Sequence, residues 1–260
     1  MKLSVIIPVY NEASTFPALL ARVLSVPIDK EILVVDDASD AETVQQLQKA
    51  VETNGSSVRL FTHEKNRGKG AAIRTALEHA TGDAVIIQDA DLEYFPEDYT
   101  LMVEVFERYN AQAVYGVRDL SGRSLFMRTG NHFLTWVTNL FFDARLRDME
   151  TCYKLVERRL LQSLNLRSHR FEIEAEISSK LLRRGVHIYQ TPIRYEPRAA
   201  GKKLSPLDGL PTLATLVKYR LGLPERVPVR RIERLLVAGA GMSAGFALAV
   251  LWRLLRRPDN

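Results

Sequence analysis

Cysteine is nearly absent from the 260-residue chain, and the single Cys152 excludes an intramolecular disulfide and any cysteine-rich metal cluster. A reducing, cytoplasmic setting is therefore expected. No Gly-x-Gly-x-x-Gly follows the first apolar run, which removes the main signature of a dinucleotide-binding domain. The nearest glycine cluster, Asn66-Arg67-Gly68-Lys69-Gly70, lacks the four-residue gap and the Ser or Thr of a P-loop. Only five residues separate Lys2 from Pro8, too few for the core of a secretory signal, so the N-terminus reads as a first strand. Internal repeats and low-complexity linkers are also missing. The length suits one α/β domain with an appendage.

Charge is abundant but unevenly spread. The net +5 conceals twelve Lys and Arg against three acids in residues 198–257, leaving 24 basic against 28 acidic residues elsewhere. An acidic body with a basic tail argues against nucleic-acid binding by the body and for a tail that meets an anionic surface. Residues 235–252 hold eighteen positions without a charge, close to the ~20 that span a bilayer. The stretch is apolar all round, which favours a spanning helix over one lying in the membrane plane. A re-entrant helix or a buried core helix stays open, and arginines at both ends give no orientation. Gly241 and Gly245 form a small-xxx-small pair that hints at a homo-oligomer.

Short Val- and Ile-rich runs at 3–9, 31–36, 57–62, 84–88 and 112–116 alternate with helical patterns at 12–24, 41–53, 69–80 and 97–109. Such alternation predicts a mostly parallel sheet with helices on both faces, and ligands in such sheets bind beyond the carboxyl ends of the strands. Three of those ends carry polar groups: Pro8-Val9-Tyr10-Asn11-Glu12, Asp36-Asp37-Ala38-Ser39 and Gln88-Asp89-Ala90-Asp91-Leu92-Glu93. In an extended segment the alternate residues Asp89, Asp91 and Glu93 would converge on one point. Three hard oxygen ligands suit Mg²⁺ or Mn²⁺, with the phosphates of a nucleoside diphosphate completing the site. An acidic turn is the plain alternative. Lys69 opens a helix, where free N–H groups and a lysine would face a phosphate, or simply solvent. Residues 125–143 read as an aromatic-rich helix and 206–221 as an interfacial amphipathic one.

These motifs, in this order and spacing, resemble the inverting family 2 glycosyltransferases of GT-A fold. Asp148-Met149-Glu150-Thr151-Cys152-Tyr153-Lys154, Phe171-Glu172-Ile173-Glu174, and Gly201-Lys202-Lys203 ahead of Asp208-Gly209-Leu210 are similar to the polyprenyl-phosphate sugar synthases, the dolichol-phosphate mannose synthase group. The resemblance covers residues 3 to about 221. It implies a catalytic domain over 1–203, an interfacial helix and linker over 204–228, and a hydrophobic membrane segment over 229–260. It further implies a cation on Asp89, Asp91 and Glu93, where many relatives carry Gln in place of Glu93. Pro8, Tyr10, Glu12, Asp36 and Asp37 would line the nucleoside pocket, with Lys69 at its phosphate side. Arg118, Arg128 and Asn131, with Arg123 as a substitute, would contact the acceptor phosphate. Arg198, Lys202 and Lys203 would close over the donor, and Asp148 would orient groups near the reacting centre.

The implied reaction moves a sugar from a nucleotide diphosphate donor, of GDP-mannose or UDP-hexose type, to a polyprenyl phosphate, at the cytoplasmic face of a membrane. A phosphate monoester is largely ionised near neutrality, its second pKa being ~6, so the acceptor needs positioning more than a base. Two rivals share the pattern in part. A family 2 enzyme acting on a sugar hydroxyl would need a base and commonly carries Gln-x-x-Arg-Trp, yet neither Trp136 nor Trp252 follows an arginine. A nucleotidylyltransferase would need a glycine-rich loop after its first strand. A membrane-tethered sugar-nucleotide binding protein is the non-enzymatic alternative.

Overall fold

The computed structural model describes residues 1–198 and 209–239. Lys202, Lys203 and the part of the 235–252 run beyond residue 239 lie outside the described residues. Seven strands form one sheet: β1 (Leu3–Val9), β2 (Lys30–Asp36), β3 (Val58–Thr62), β4 (Ala84–Ile87), β5 (Ala113–Arg118), β6 (Lys154–Glu157) and β7 (Ile188–Ile193), in the order β3-β2-β1-β4-β6-β5-β7. The helices are α1 (Phe16–Ser25), α2 (Ala41–Asn54), α3 (Lys69–His79), α4 (Tyr99–Arg108), α5 (Leu125–Phe142), α6 (Arg158–Ser163), α7 (Ile173–Arg183), α8 (Gly209–Arg220) and α9 (Val229–Gly239). The central strands are apolar on both faces because helices cover both: Leu3, Val5, Ile6 and Ile7 of β1 and Ala84, Val85 and Ile86 of β4 have no exposed surface.

The sheet is mostly parallel, as expected. β6 is the exception, running antiparallel to both β4 and β5. It is four residues long, too short for a periodic signal, and the sequence reading passed over it. β7 escaped for a different reason. It carries Pro192 and pairs only with β5 at the sheet edge, where a missing N–H costs no ladder bond.

From β1 the chain winds outward through β2 to β3, then returns to place β4 on the other side of β1. The carboxyl ends of β1 and β4 therefore flank the point where winding reverses, the crevice in which open α/β sheets bind ligands. Residues 11–15 form a turn before α1, which starts at Phe16 instead of residue 12. Thr15 Oγ1 spans the crevice, donating to the Ala90 carbonyl at 3.0 Å.

One expectation is corrected by the end of β4. The acidic run does not extend β4, for the strand stops at Ile87 and the chain bends through residues 90–93. Gln88 is the last residue held to β1, its amide donating to the Ile6 carbonyl at 2.9 Å. Its side chain lies in the core, accepts hydrogen bonds from the Tyr99 and Tyr153 hydroxyls at 2.5 and 2.6 Å, and donates to the Asp89 carbonyl at 2.9 Å. Helix α8, read from sequence as interfacial, buries Thr212, Ala214, Thr215, Leu216, Lys218 and Tyr219 against α5, α7 and α9, while Leu210, Leu213 and Val217 of the expected apolar stripe are half-buried and Leu221 is 42% exposed.

An exposed apolar face also lies on α5. Leu125, Phe126, Phe133, Trp136 and Leu140 are between 50% and 68% exposed, and at 3.6 residues per turn they fall within about 100° of one another. Leu134, Thr135, Val137 and Thr138 form the opposite, buried side. Among the described residues no helix is long and apolar enough to cross a membrane.

Candidate active site

A cavity of about 360 Å³ opens at the crevice between β1 and β4. Pro8, Tyr10, Glu12 and Asp37 line it together with the acidic and basic groups Asp89, Asp91, Glu93, Lys69, Arg118, Arg123 and Arg198. Most residues singled out from sequence therefore meet in one place. Asp36 does not reach it, because its Oδ1 accepts from the Ser39 amide at 2.9 Å and shapes the turn after β2. Arg128 is exposed on α5 and does not line the cavity. Asp148 and Asn131 do not line it; both contact Arg118, which does.

Asp37 builds the neighbouring loop. Its Oδ1 accepts from the Arg67 amide at 2.8 Å and contacts His63 Nδ1 at 2.7 Å, while Oδ2 accepts from the Gly68 amide at 2.7 Å. Gly68 has φ +89°, and a Cβ there would meet the His169 carbonyl at 2.4 Å. This close approach delivers Lys69 to the cavity floor. Lys69 Nζ lies 2.6 Å from Asp89 and 3.0 Å from Glu174, which also meets Lys154 at 2.8 Å. Burial alone would lower the Lys69 pKa; the Asp89 and Glu174 carboxylates outweigh it and hold the ammonium well above its usual range.

On the basic side, Arg118 binds Asp148 through Nε at 2.7 Å and Nη2 at 2.9 Å, and Nη2 also donates to Asn131 Oδ1 at 3.0 Å. Arg123 Nη2 donates to Glu93 at 3.0 Å. Both guanidinium groups lie over the Tyr195 ring, 5.2 and 4.9 Å from its centroid. Tyr195 was not found from sequence, since it belongs to no motif and reaches the site only by following β7. Its hydroxyl donates to Glu93 Oε2 at 2.5 Å, and Oε1 of the same carboxylate accepts from the Arg198 amide at 3.0 Å. Glu93 therefore faces Arg123 and Tyr195, and no group of three or more His, Cys, Asp or Glu side chains among the described residues forms a ready metal cage.

Asp91 is differently placed. Its nearest cation is Arg198, at 3.7 Å, and that guanidinium is shared with Glu12 at 3.0 Å. Burial, reinforced by Asp89 and Glu93, pushes the Asp91 carboxyl up to about 7. Glu150, also in the cavity wall, is pushed up to about 7 mainly by burial. These two are the carboxyls that the site's own cations match least. Glu150, Glu174 and Phe171 sit in the stretches quoted for the resemblance, but nothing in those stretches distinguished them as wall residues.

A GT-A-like sheet with a charged cavity at its switch point defines a glycosyltransferase architecture, and comparison with known proteins gives the family. The model for Glycosyl transferase family 2 matches residues 4–161, and the chain belongs to that family. An undecaprenyl-phosphate 4-deoxy-4-formamido-L-arabinose transferase of Klebsiella pneumoniae is 27% identical over 261 residues, covering 98% of this chain and 76% of that protein. The Pseudomonas aeruginosa enzyme of the same name is 41% identical over 105 residues, 39% of this chain and 31% of that protein. Among solved structures, Mycobacterium tuberculosis glucosyl-3-phosphoglycerate synthase in complex with Mn²⁺, uridine-diphosphate-glucose and phosphoglyceric acid superposes with a TM-score of 0.63 at 20% identity. It covers 86% of this chain and 81% of that one, a likeness of fold.

Proposed function

We propose that this glycosyltransferase moves a sugar from a nucleoside diphosphate donor to a polyprenyl phosphate at the cytoplasmic face of a membrane, inverting the anomeric centre. One observation carries the reading: a single cavity sets the Asp89 and Asp91 carboxylates against the Arg118 and Arg123 guanidiniums. The names of the relatives, transferases to undecaprenyl phosphate, support the acceptor class. The apolar stripe of α5, on the helix that also carries Asn131, supports a lipid acceptor.

A divalent cation fits the acidic side, because Asp89 and Asp91 offer hard oxygen donors and burial disfavours the Asp91 anion until a positive charge arrives. Mg²⁺ or Mn²⁺ would be held by Asp89 and Asp91, and when bound it balances the negative charge growing on the departing nucleoside diphosphate. Glu93 lines the same cavity and supports this site by holding Arg123 and the Arg198 backbone. Lys69 sets a positive charge on the diphosphate side, and Pro8, Tyr10, Glu12 and Asp37 bound the nucleoside end. Arg118 and Arg123 hold the acceptor phosphate, whose oxygen attacks the anomeric carbon from the side opposite the leaving group. Asp148 needs no proton transfer; it fixes Arg118. Arg128 takes no part in that step.

A sugar-hydroxyl acceptor is the second reading, favoured by Glu150, whose pKa near neutrality suits a proton acceptor. Radiolabelled nucleotide sugars, offered with Mn²⁺ or Mg²⁺ to the purified protein, decide between them. Label should pass to polyprenyl phosphate. Transfer to free glycans with none to the lipid phosphate would overturn the proposal.

A further inference from the structure

Glu150 is a cavity carboxyl that the cation site, the acceptor site and the nucleoside end all leave unused, and that, unlike Glu174, has no ion pair with Lys69. The charges around it close without it: Asp89 meets Lys69, Glu174 meets Lys69 and Lys154, and Asp148 meets Arg118. Lys154, the nearest ammonium to weigh on it, already donates to the Met149 carbonyl at 2.8 Å and to the Thr151 carbonyl. Glu150 Oε1 is sealed from solvent and has no hydrogen-bond partner among the described residues. A buried polar atom left unpaired carries a desolvation cost, and native structures tolerate few of them. The terminal torsion of a Glu side chain is soft, so a small rotation turns that oxygen toward the cavity that the residue lines.

Its position decides what the oxygen would meet. The chain ties Glu150 to both sets of charges: Asp148, two residues before it, meets Arg118 at 2.7 Å, and Lys154, which donates to the flanking Met149 and Thr151 carbonyls, meets Glu174, the partner of Lys69. In the donor reading above, on which this inference rests, the leaving diphosphate lies toward Lys69 and Asp89 and the attacking phosphate toward Arg118. An in-line displacement requires the glycosyl group between them. We propose that Glu150 is a specificity residue for the transferred sugar, its carboxyl accepting a hydrogen bond from a hydroxyl of the glycosyl ring in the ground state of the donor complex. The site would then select donors that carry an O–H at that ring position, since a site built to pair a hydroxyl rejects the analogue lacking it.

Calorimetric titration of wild type, Glu150→Ala and Glu150→Gln with a nucleoside diphosphate and with its sugar conjugate, both in Mn²⁺, tests the assignment. The Ala variant should bind the conjugate roughly 10- to 100-fold more weakly, the loss of one hydrogen bond to a charged group. Affinity for the bare diphosphate should stay within about twofold, since that ligand has no sugar to read. The Gln variant keeps an acceptor oxygen and should recover most of the conjugate's affinity, with the effect in KM more than in kcat. Equal weakening of both ligands, or no weakening of either, would overturn the assignment. So would a Gln variant with full affinity for the conjugate and no turnover, the signature of a general base. A wild type that binds neither ligand would remove the donor reading itself.

Discussion

Replacing Asp148 by Asn separates the two roles open to a carboxylate beside the reacting centre. Asp148 is 2% exposed, and its carboxylate accepts from Arg118 Nε at 2.7 Å and Nη2 at 2.9 Å, from the Arg118 amide at 3.3 Å and from Asn131 Nδ2 at 3.3 Å. Burial would raise its pKa, but Arg118 outweighs burial and keeps the carboxyl below its usual range. A carboxylate so held is a poor proton acceptor and a good anchor. The Asn side chain keeps the shape, removes the charge and turns one acceptor into a donor facing a guanidinium. Arg118, only 7% exposed in its side chain, is then left buried without its counter-charge. Removing one member of a buried pair costs about 3–5 kcal/mol. Urea unfolding at pH 7.5 should therefore show a loss near the lower end of that range, about 3 kcal/mol, since Asn131 still accepts from Arg118. The double variant Asp148→Asn, Arg118→Met removes both charges and should recover most of the lost stability while staying inactive. The sign with pH follows from the depressed pKa. The stabilisation from Asp148 is complete above the ordinary value of 3.8 and is lost as pH falls through the lower folded value, so the deficit should close only in strong acid. An Asn variant within about 0.5 kcal/mol of wild type at pH 7.5, yet devoid of turnover, would refute the anchoring argument and make Asp148 a base.

Asp91→Asn should abolish turnover while making the metal-free protein more stable above pH 7. The raised Asp91 pKa penalises the native state progressively from pH 3.8 to about 7; saturating Mn²⁺ should reverse the order of the melting temperatures, and an order indifferent to both pH and metal would contradict the cation site. Gly68→Ala forces a Cβ into the His169 carbonyl at φ +89°, so a stability loss above about 1 kcal/mol is expected together with weaker nucleotide binding; a wild-type variant would mean the loop has another conformation. Phe133→Gln and Trp136→Gln change side chains 50% and 59% exposed, so unfolding stability should hold within about 0.5 kcal/mol. Co-sedimentation of the full chain with anionic vesicles should fall, and a stability loss without any change in vesicle binding would show that α5 is covered by protein.

The alternation of Val- and Ile-rich runs with helical patterns was enough to read β1 to β5 and α1 to α4, because parallel strands buried on both faces must be continuously apolar. Local order also made the polar strand ends legible, and with them Pro8, Tyr10, Glu12, Asp37, Lys69, Asp89 and Asp91, which the structure does gather in one cavity. β6 and β7 were not legible, one too short and the other interrupted by Pro192 at an edge. Glu93 is a mixed case: its spacing assumes a strand that in fact ends at Ile87, yet the structure still brings it into the cavity with Asp89 and Asp91.

By itself, then, the sequence determined the order of layers and which strand ends carry chemistry, since both depend on hydrophobicity and on neighbours a few residues apart. Tertiary structure alone decided the pairings: Glu93 with Arg123 and Tyr195, Asp148 with Arg118, Lys69 with Glu174, and Glu150 with no ion-pair partner among the described residues. Charges act through space over a few ångströms, and the partners that fix each carboxylate's role are brought together from 30 to 105 residues apart along the chain.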